Sequence, residues 1–392
     1  TKGILSLRKG KLLLKTDRTD DGINMIRSYV AAESTNPIAA EVQLDLANLL
    51  LQKEQFEKAA TEFQNYLETF ADPHGVALAL RGKGSALFQM GRHQEAAATF
   101  RKAAETAPAT ADKALNRMLI ADAQFAAGQY KLAIETYTNL AAQWPETDLA
   151  LQAQYQAGEG YIQLGETNTA STLLWDLIDL DQDNYWAKRA LLRLADLTRQ
   201  SNQNIPAAYL YHWASAQATP EIQAQSQHGL ALMAYNAGDF STALKRFKCA
   251  HALAPQSAIA EMSLYLSAWC HVYLGQDKQA MHAFGEFAAA YPAASLAPNA
   301  LFQISEQAFN QKNFASAEKG FLDLARNYPR APLADTALFW AGRAALAQNE
   351  FRRANNHFNQ LIKEYPSSAK RAEARFYQSA ALCEMGEFAA TI

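Results

Sequence analysis

The chain has 392 residues, 49% hydrophobic and 19% charged, with 36 Lys and Arg against 39 Asp and Glu for a net charge of −3. No block of Lys or Arg stands out, which argues against nucleic acid or an acidic membrane as the main partner. No apolar run reaches the roughly 18 residues needed to cross a bilayer, and Cys249, Cys270 and Cys383 form neither a disulfide framework nor a metal-ligand spacing.

A period overrides the domain count that this length would suggest. An alanine recurs at Ala59, Ala96, Ala133, Ala170, Ala208, Ala243, Ala280, Ala317 and Ala354, in steps of 37, 37, 37, 38, 35, 37, 37 and 37 residues. Self-similarity of this kind marks units too small to bury their own apolar faces, which stack on their neighbours.

In chain order, residues 1–40 read as a partial unit, with Gly22 and Ile26 in the alanine and aromatic frame. Residues 41–183 read as a first block of helix pairs. Residues 184–220 are irregular: the closing Pro is replaced by Asp181-Gln182-Asp183-Asn184, and the turn Ser201–Pro206 reads as one residue longer than the others. Such a turn marks either a bend, a partner-specific bulge or a tolerated loop insertion. Residues 221–392 form a second block that ends in a partial unit from Ala369. The chain opens at Thr1 without Met and stops inside a repeat at Ile392, which predicts a processed or excised segment with any targeting signal outside it.

The unit around Ala317 shows the construction. Helix A runs through Ser295–Ser305, the chain turns at Lys312-Asn313-Phe314, and helix B carries Ala317, Phe321 and Leu324 before Tyr328-Pro329. Offsets of four and seven are one stripe of a helix of period 3.6, so small alanine admits a close crossing and the ring fills the hole. Gly91, Gly128, Gly165, Gly238, Gly275 and Gly386 fall where helix A must end, and Pro108, Pro145, Pro255, Pro292, Pro329 and Pro366 follow helix B. Twelve positions before the alanines lie Ala47, Gly84, Ala121, Gly158, Ala231, Ala268, Ser305 and Gly342, where helix A must be thin because helix B crosses it.

The alternation of Gly or Ala, Gly-x-Tyr/Phe, Ala, Phe and Pro resembles the tetratricopeptide repeat and covers essentially the whole chain. The unit is longer than the family's usual one. With Tyr291-Pro292, Tyr328-Pro329 and Tyr365-Pro366, it is similar to a bacterial variant found in the outer-membrane assembly lipoprotein and the periplasmic coordinator of the Tol–Pal system. The expected fold is all-α, a right-handed superhelical α-solenoid of antiparallel helix pairs with about nine complete repeats and a partial unit at each end. The resemblance implies a non-enzymatic scaffold of the bacterial cell envelope, periplasmic or outer-membrane-associated, although similar arrays also occur in cytoplasmic proteins. Protein partners and no cofactor are expected, and any membrane tether would lie outside this segment. The alternative is the helical arm of a larger enzyme, such as a cell-wall hydrolase, or of a signalling protein.

In arrays of this kind helix A lines the concave surface. Fifteen positions before the alanines stand Leu44, Arg81, Met118, Tyr155, His228, Tyr265, Phe302 and Phe339, with Phe376 in the last partial unit and Trp269 and Phe309 beside them. These rings either grip a partner peptide or pack inside the superhelix, and their recurrence with the period favours packing. Around Arg81, Asp122, Glu159, Asp196 and Arg199 the face reads as polar and mixed in sign, as a solvated helix face does. The paired Lys and Asn with which relatives capture a chaperone's C-terminal carboxylate are absent: the places read Leu44 with Asn48, Arg81 with Ser85, and Met118 with Asp122. No His-Glu-x-x-His pair, phosphate loop or nucleophile elbow occurs. His251 and His271 stand within reach of each other across a helix contact, as do Cys249 and Cys270, whose bland reading is two small buried hydrophobes.

Overall fold

The computed structural model describes residues 13, 19–216 and 218–386, and every regular element among them is an α-helix. The remainder of the expected terminal partial units, residues 1–12, 14–18 and 387–392, lies outside the described residues. In chain order the helices are α1 (Thr19–Ala32), α2 (Pro37–Gln52), α3 (Phe56–Thr69), α4 (Pro73–Gln89), α5 (His93–Thr106), α6 (Thr110–Ala126) and α7 (Tyr130–Gln143). Then come α8 (Asp148–Gln163), α9 (Thr167–Leu180), α10 (Tyr185–Gln200), α11 (Asn204–Ser215), α12 (Pro220–Asn236), α13 (Phe240–Leu253) and α14 (Ala258–Tyr273). The last are α15 (Asp277–Ala290), α16 (Ala297–Asn310), α17 (Phe314–Asn327), α18 (Ala334–Ala347), α19 (Phe351–Glu364) and α20 (Arg371–Glu384). Even-numbered helices are A helices and odd-numbered ones B helices. Two compact units, Thr1–Leu191 and Leu192–Ile392, divide the chain, and the division falls inside α10.

Within each unit the packing is sequential. From α1 to α9 and from α11 to α20 each helix lies against the next, and A helices also meet across a pair, as α2 meets α4 and α12 meets α14. Such a stack is an α-solenoid, in which a unit's stability comes from its own hairpin and the neighbouring interfaces.

Local chemistry closes each hairpin. Five positions before the frame alanine the backbone enters the left-handed region, at Gly91 with φ 75° for example. That twist lets the next amide bond back across the helix end, as from Arg92 N to Leu87 O (2.9 Å) and from Asn313 N to Ala308 O (2.9 Å). A helices open with side-chain caps where they can: Asp72 accepts from Gly75 N and Thr147 from Ala150 N. Each such cap is worth about 1 kcal/mol.

The crossing geometry follows the small-residue rule. The frame alanines are buried, and so are the residues four on, from Phe63 and Phe100 to Phe321 and Phe358. A Cβ added to Gly84 would stand 2.6 Å from the Phe100 ring, and one added to Gly342 would stand 2.5 Å from Phe358. Helix A is thin where the ring of helix B lies over it.

One part of the expected register is corrected. The frame residue of the irregular repeat is Ala207, which is fully buried, and not Ala208; the ring four on is the buried Tyr211. The left-handed residue, Asn202 with φ 60°, lies five before Ala207. The turn Ser201–Pro206 therefore carries no extra residue. The missing one belongs to the other side of α11, which has 12 residues where the remaining complete B helices have 14.

Two further devices tie neighbouring repeats. The Tyr-Pro phrases form a chain of clasps: Tyr291 Oη donates to Pro255 O (2.8 Å), Tyr328 Oη to Pro292 O (2.9 Å) and Tyr365 Oη to Pro329 O (2.9 Å). Buried carboxylates link B helices as well. Glu62 accepts from Gln43 (2.7 Å) and pairs with Arg27 of α1. Glu318 meets Gln348 (2.8 Å) and His357 Nε2 (3.0 Å) of the next pair.

Cys249 is exposed and Cys270 buried, both free, so only Cys270 fits the bland expectation. Burial pushes the Cys270 thiol up to about 12, which keeps it protonated and inert. His251 and His271 do not pair. His251 Nδ1 lies 3.3 Å from Ala260 O and His271 Nδ1 2.7 Å from Gln276 Oε1.

Candidate partner-binding face

Four of the rings fifteen before the frame position turn toward their own B helix. Tyr155, His228, Tyr265, Phe302 and Phe339 are all buried. His228 meets Phe247 (5.4 Å), Tyr265 meets Phe284 (5.8 Å), Phe302 meets Phe321 (5.2 Å) and Phe339 meets Phe358 (6.0 Å). These five candidate partner-binding rings are packing residues, the alternative that their recurrence favours: four complete the hole that the B-helix ring begins, while Tyr155 lies against Trp186 (5.6 Å) of the next A helix. Trp269 and Phe309 are half-buried and keep an open edge, while Phe376 is 69% exposed.

The outward side of the A helices is therefore built one position and four positions further along. At the latter register stand Asn48, Ser85, Asp122, Glu159, Asp196, Leu232, Trp269, Glu306, Arg343 and Ala380. In the first unit two charged groups of the A helices are bonded within the chain. Asp122 accepts from Tyr137 Oη (2.6 Å), and Arg81 pairs with Asp112 (2.8 Å). Burial raises the Asp122 carboxyl, a shift that the tyrosine bond partly offsets. Burial also pushes the Tyr155 hydroxyl up to about 12, with Glu159 adding to the rise and Arg189 opposing it. Arg189 lies over the Tyr155 ring, 5.4 Å from its centroid.

The second unit repeats the acid–tyrosine pair once. Tyr211 Oη donates to Asp196 (2.5 Å), and Arg199 adds an ion pair at 3.4 Å. His228 bonds Ser263 Oγ through Nδ1 (2.8 Å), and burial lowers its pKa to about 4, so it is neutral at neutral pH. Beyond it the face turns aromatic. Trp269 stands edge-on to Phe284 (5.6 Å), and Tyr273, 55% exposed, stacks on Phe240 at 4.6 Å. Phe309 stands edge-on to Trp340 (5.1 Å).

Three residues on this face escaped the sequence reading. Trp340, Arg343 and Tyr377 converge between α18 and α20, with the Arg343 guanidinium 4.3 Å from the Tyr377 centroid and 5.8 Å from that of Trp340. The available signal was the spacing: Tyr377 lies 37 residues after Trp340, at the same place on the next A helix.

No group of three or more His, Cys, Asp or Glu placed to hold a metal occurs among the described residues. Nor is any described helix long and apolar enough to cross a membrane. A shallow hollow between α5, α6 and α7, lined by Arg101, Glu105, Lys113, Arg117 and Glu135 among others, is mixed in charge and holds no nucleophile–base pair.

Two family models, both described as tetratricopeptide repeat, match this chain. One matches residues 7–76 and 44–111, the other residues 116–147, 262–294 and 336–368, and together they cover just over half of the chain. No curated protein matches. Among solved structures, the chain is similar to PilF of Pseudomonas aeruginosa at 19% identity, covering 58% of this chain and 96% of that one, with a TM-score of 0.41. It is similar to yeast Tom70 at 12% identity, covering 98% and 96%, with a TM-score of 0.40. It is also similar to MamA of Desulfovibrio magneticus at 16% identity, covering 47% and 97%, with a TM-score of 0.36.

Proposed function

The chain belongs to the tetratricopeptide-repeat family, and from that premise we propose that it is a non-enzymatic scaffold that docks protein partners on the outward face of its A helices. Repeats of this family commonly mediate protein–protein interaction. One observation carries the reading for this chain. Within Leu192–Ile392 the packing positions repeat a narrow alphabet of alanine, ring and small residue, whereas the outward register runs through Leu232, Trp269, Glu306 and Arg343. A face whose framework is constant and whose presented side chains change at every step offers a distinct row of contacts to one partner.

We extend the proposal to the bacterial cell envelope, periplasmic or at the outer membrane. Its support is the long unit with Tyr-Pro phrases, which resembles the envelope variant of the repeat.

A photo-crosslinking amino acid tests the docking face in the protein's own cells. Placed at Gln303 or Thr336 on A helices, it should give discrete adducts with a protein partner. Placed at the exposed Lys319 or Arg352 on B helices, it should give few. The same adducts from both sets, or adducts from the B helices alone, would refute the assignment.

A further inference from the structure

Arg343 is the unusual charge on the A-helix face. Its Cζ lies 4.3 Å from the Tyr377 centroid, 5.8 Å from that of Trp340 and 6.0 Å from that of Phe339, yet it forms no ion pair or hydrogen bond with a described residue. Stacking uses only the flat face of a guanidinium and leaves its five in-plane N–H donors available. The aromatic wall behind it is fixed: Trp340 lies edge-on to Phe309 (5.1 Å) and stacks on Phe321, while Tyr377 stacks on Phe358. The charged groups Asp122 and Asp196 at the same register are bonded within the chain, to Tyr137 and Tyr211. Lys370, over the Phe339 ring at 5.2 Å, is already paired with Glu373 (2.7 Å).

The geometry points to Arg343 as the receptor for a carboxylate side chain of an acidic peptide segment lying across α18 and α20. This rests on the docking reading of the A-helix face and names the chemistry that the face selects. A planar carboxylate matches the guanidinium fork with two parallel hydrogen bonds. Apolar side chains beside that carboxylate find the half-buried Trp340. Glu306, 37 residues earlier on α16, forms no ion pair with Arg343 and repels a second acid there. The acidic part of the segment therefore belongs at α18–α20.

Isothermal titration of the whole chain tests this with an end-blocked hexapeptide of alternating glutamate and phenylalanine, and with its glutamine counterpart. The glutamate peptide should bind the native chain about tenfold more tightly or better, as expected for charge-assisted hydrogen bonds. Arg343→Gln should bind both peptides alike, and Arg343→Lys, which keeps the charge without the fork, should recover part of the preference. Equal binding of the two peptides by the native chain, or an unchanged preference in Arg343→Gln, overturns the role of Arg343 and leaves the docking face standing. Binding of neither peptide overturns both.

Discussion

Replacing Phe321 with alanine empties a hole that two repeats share. The ring is fully buried, 5.2 Å from Phe302 on its own A helix and stacked at 6.5 Å on Trp340 of the next. Truncating a buried phenylalanine costs about 3–5 kcal/mol, more when the surroundings resist collapse. Closing this hole requires α16 and α18 to move together, each already seated on its own B helix, so the upper half of that range is expected. Hydrogen exchange followed by mass spectrometry reads the result helix by helix. Amides of α16, α17 and α18 should exchange about a thousandfold faster or more, at one decade per 1.4 kcal/mol. The effect should weaken at α15 and α19 and leave α12 and α13 close to their native rates, because stabilisation passes only between neighbours. An equal loss of protection from α12 to α20 would refute this reasoning.

Three other substitutions probe separate parts of the account. Gly342→Val places a Cβ 2.5 Å from the Phe358 ring and should cost about 1–3 kcal/mol in urea denaturation by overpacking; no loss would mean that the crossing is looser than described. Buried neutral His228 has a pKa lowered to about 4 from 6.5, so the unfolded chain binds the proton first as pH falls. Its contribution is complete above pH 6.5 and is lost by up to roughly 1.4 kcal/mol per pH unit down to about pH 4. His228→Gln keeps a partner for Ser263 and should flatten that part of the profile; identical slopes would exclude His228 as its source. Tyr328→Phe deletes one clasp to Pro292 O and should cost about 0.5–1.5 kcal/mol in thermal unfolding. Phenylalanine at Tyr291, Tyr328 and Tyr365 together should cost nearly the sum, because the three clasps share no hydrogen-bonding group.

Most of the fold was legible because each packing position has a volume requirement that recurs. Gly84 and Gly342 announce the rings of Phe100 and Phe358 by their own smallness. The frame slipped where that signal doubles. Ala207 and Ala208 are adjacent, and the alanine alone does not choose between them, whereas the ring at Tyr211 and the turn residue Asn202 do. The face was harder to read. A ring fifteen before the frame looks the same in sequence whether it points at solvent or at its own B helix, and the depth of the following ring decides. The acid–tyrosine pairs carried a readable mark: tyrosine stands four after the frame at Tyr137 and Tyr211, where aspartate stands eleven before it, at Asp122 and Asp196. Arg343 carried none, since a lone arginine on a helix surface needs no partner to explain it, and only the convergence of Trp340 and Tyr377 makes it distinctive.

The period itself can be cut. Deleting the 37 residues 281–317 joins Ala280 to Glu318 in phase, fusing the start of α15 to the rest of α17 and restoring one complete B helix. Deleting the 34 residues 284–317 instead shifts every packing position by three. Circular dichroism with thermal unfolding should show the first deletion helical and cooperative, with a midpoint near that of the native chain, and the second strongly destabilised or aggregated. Equal damage from both would contradict a stack of 37-residue units held by neighbours alone.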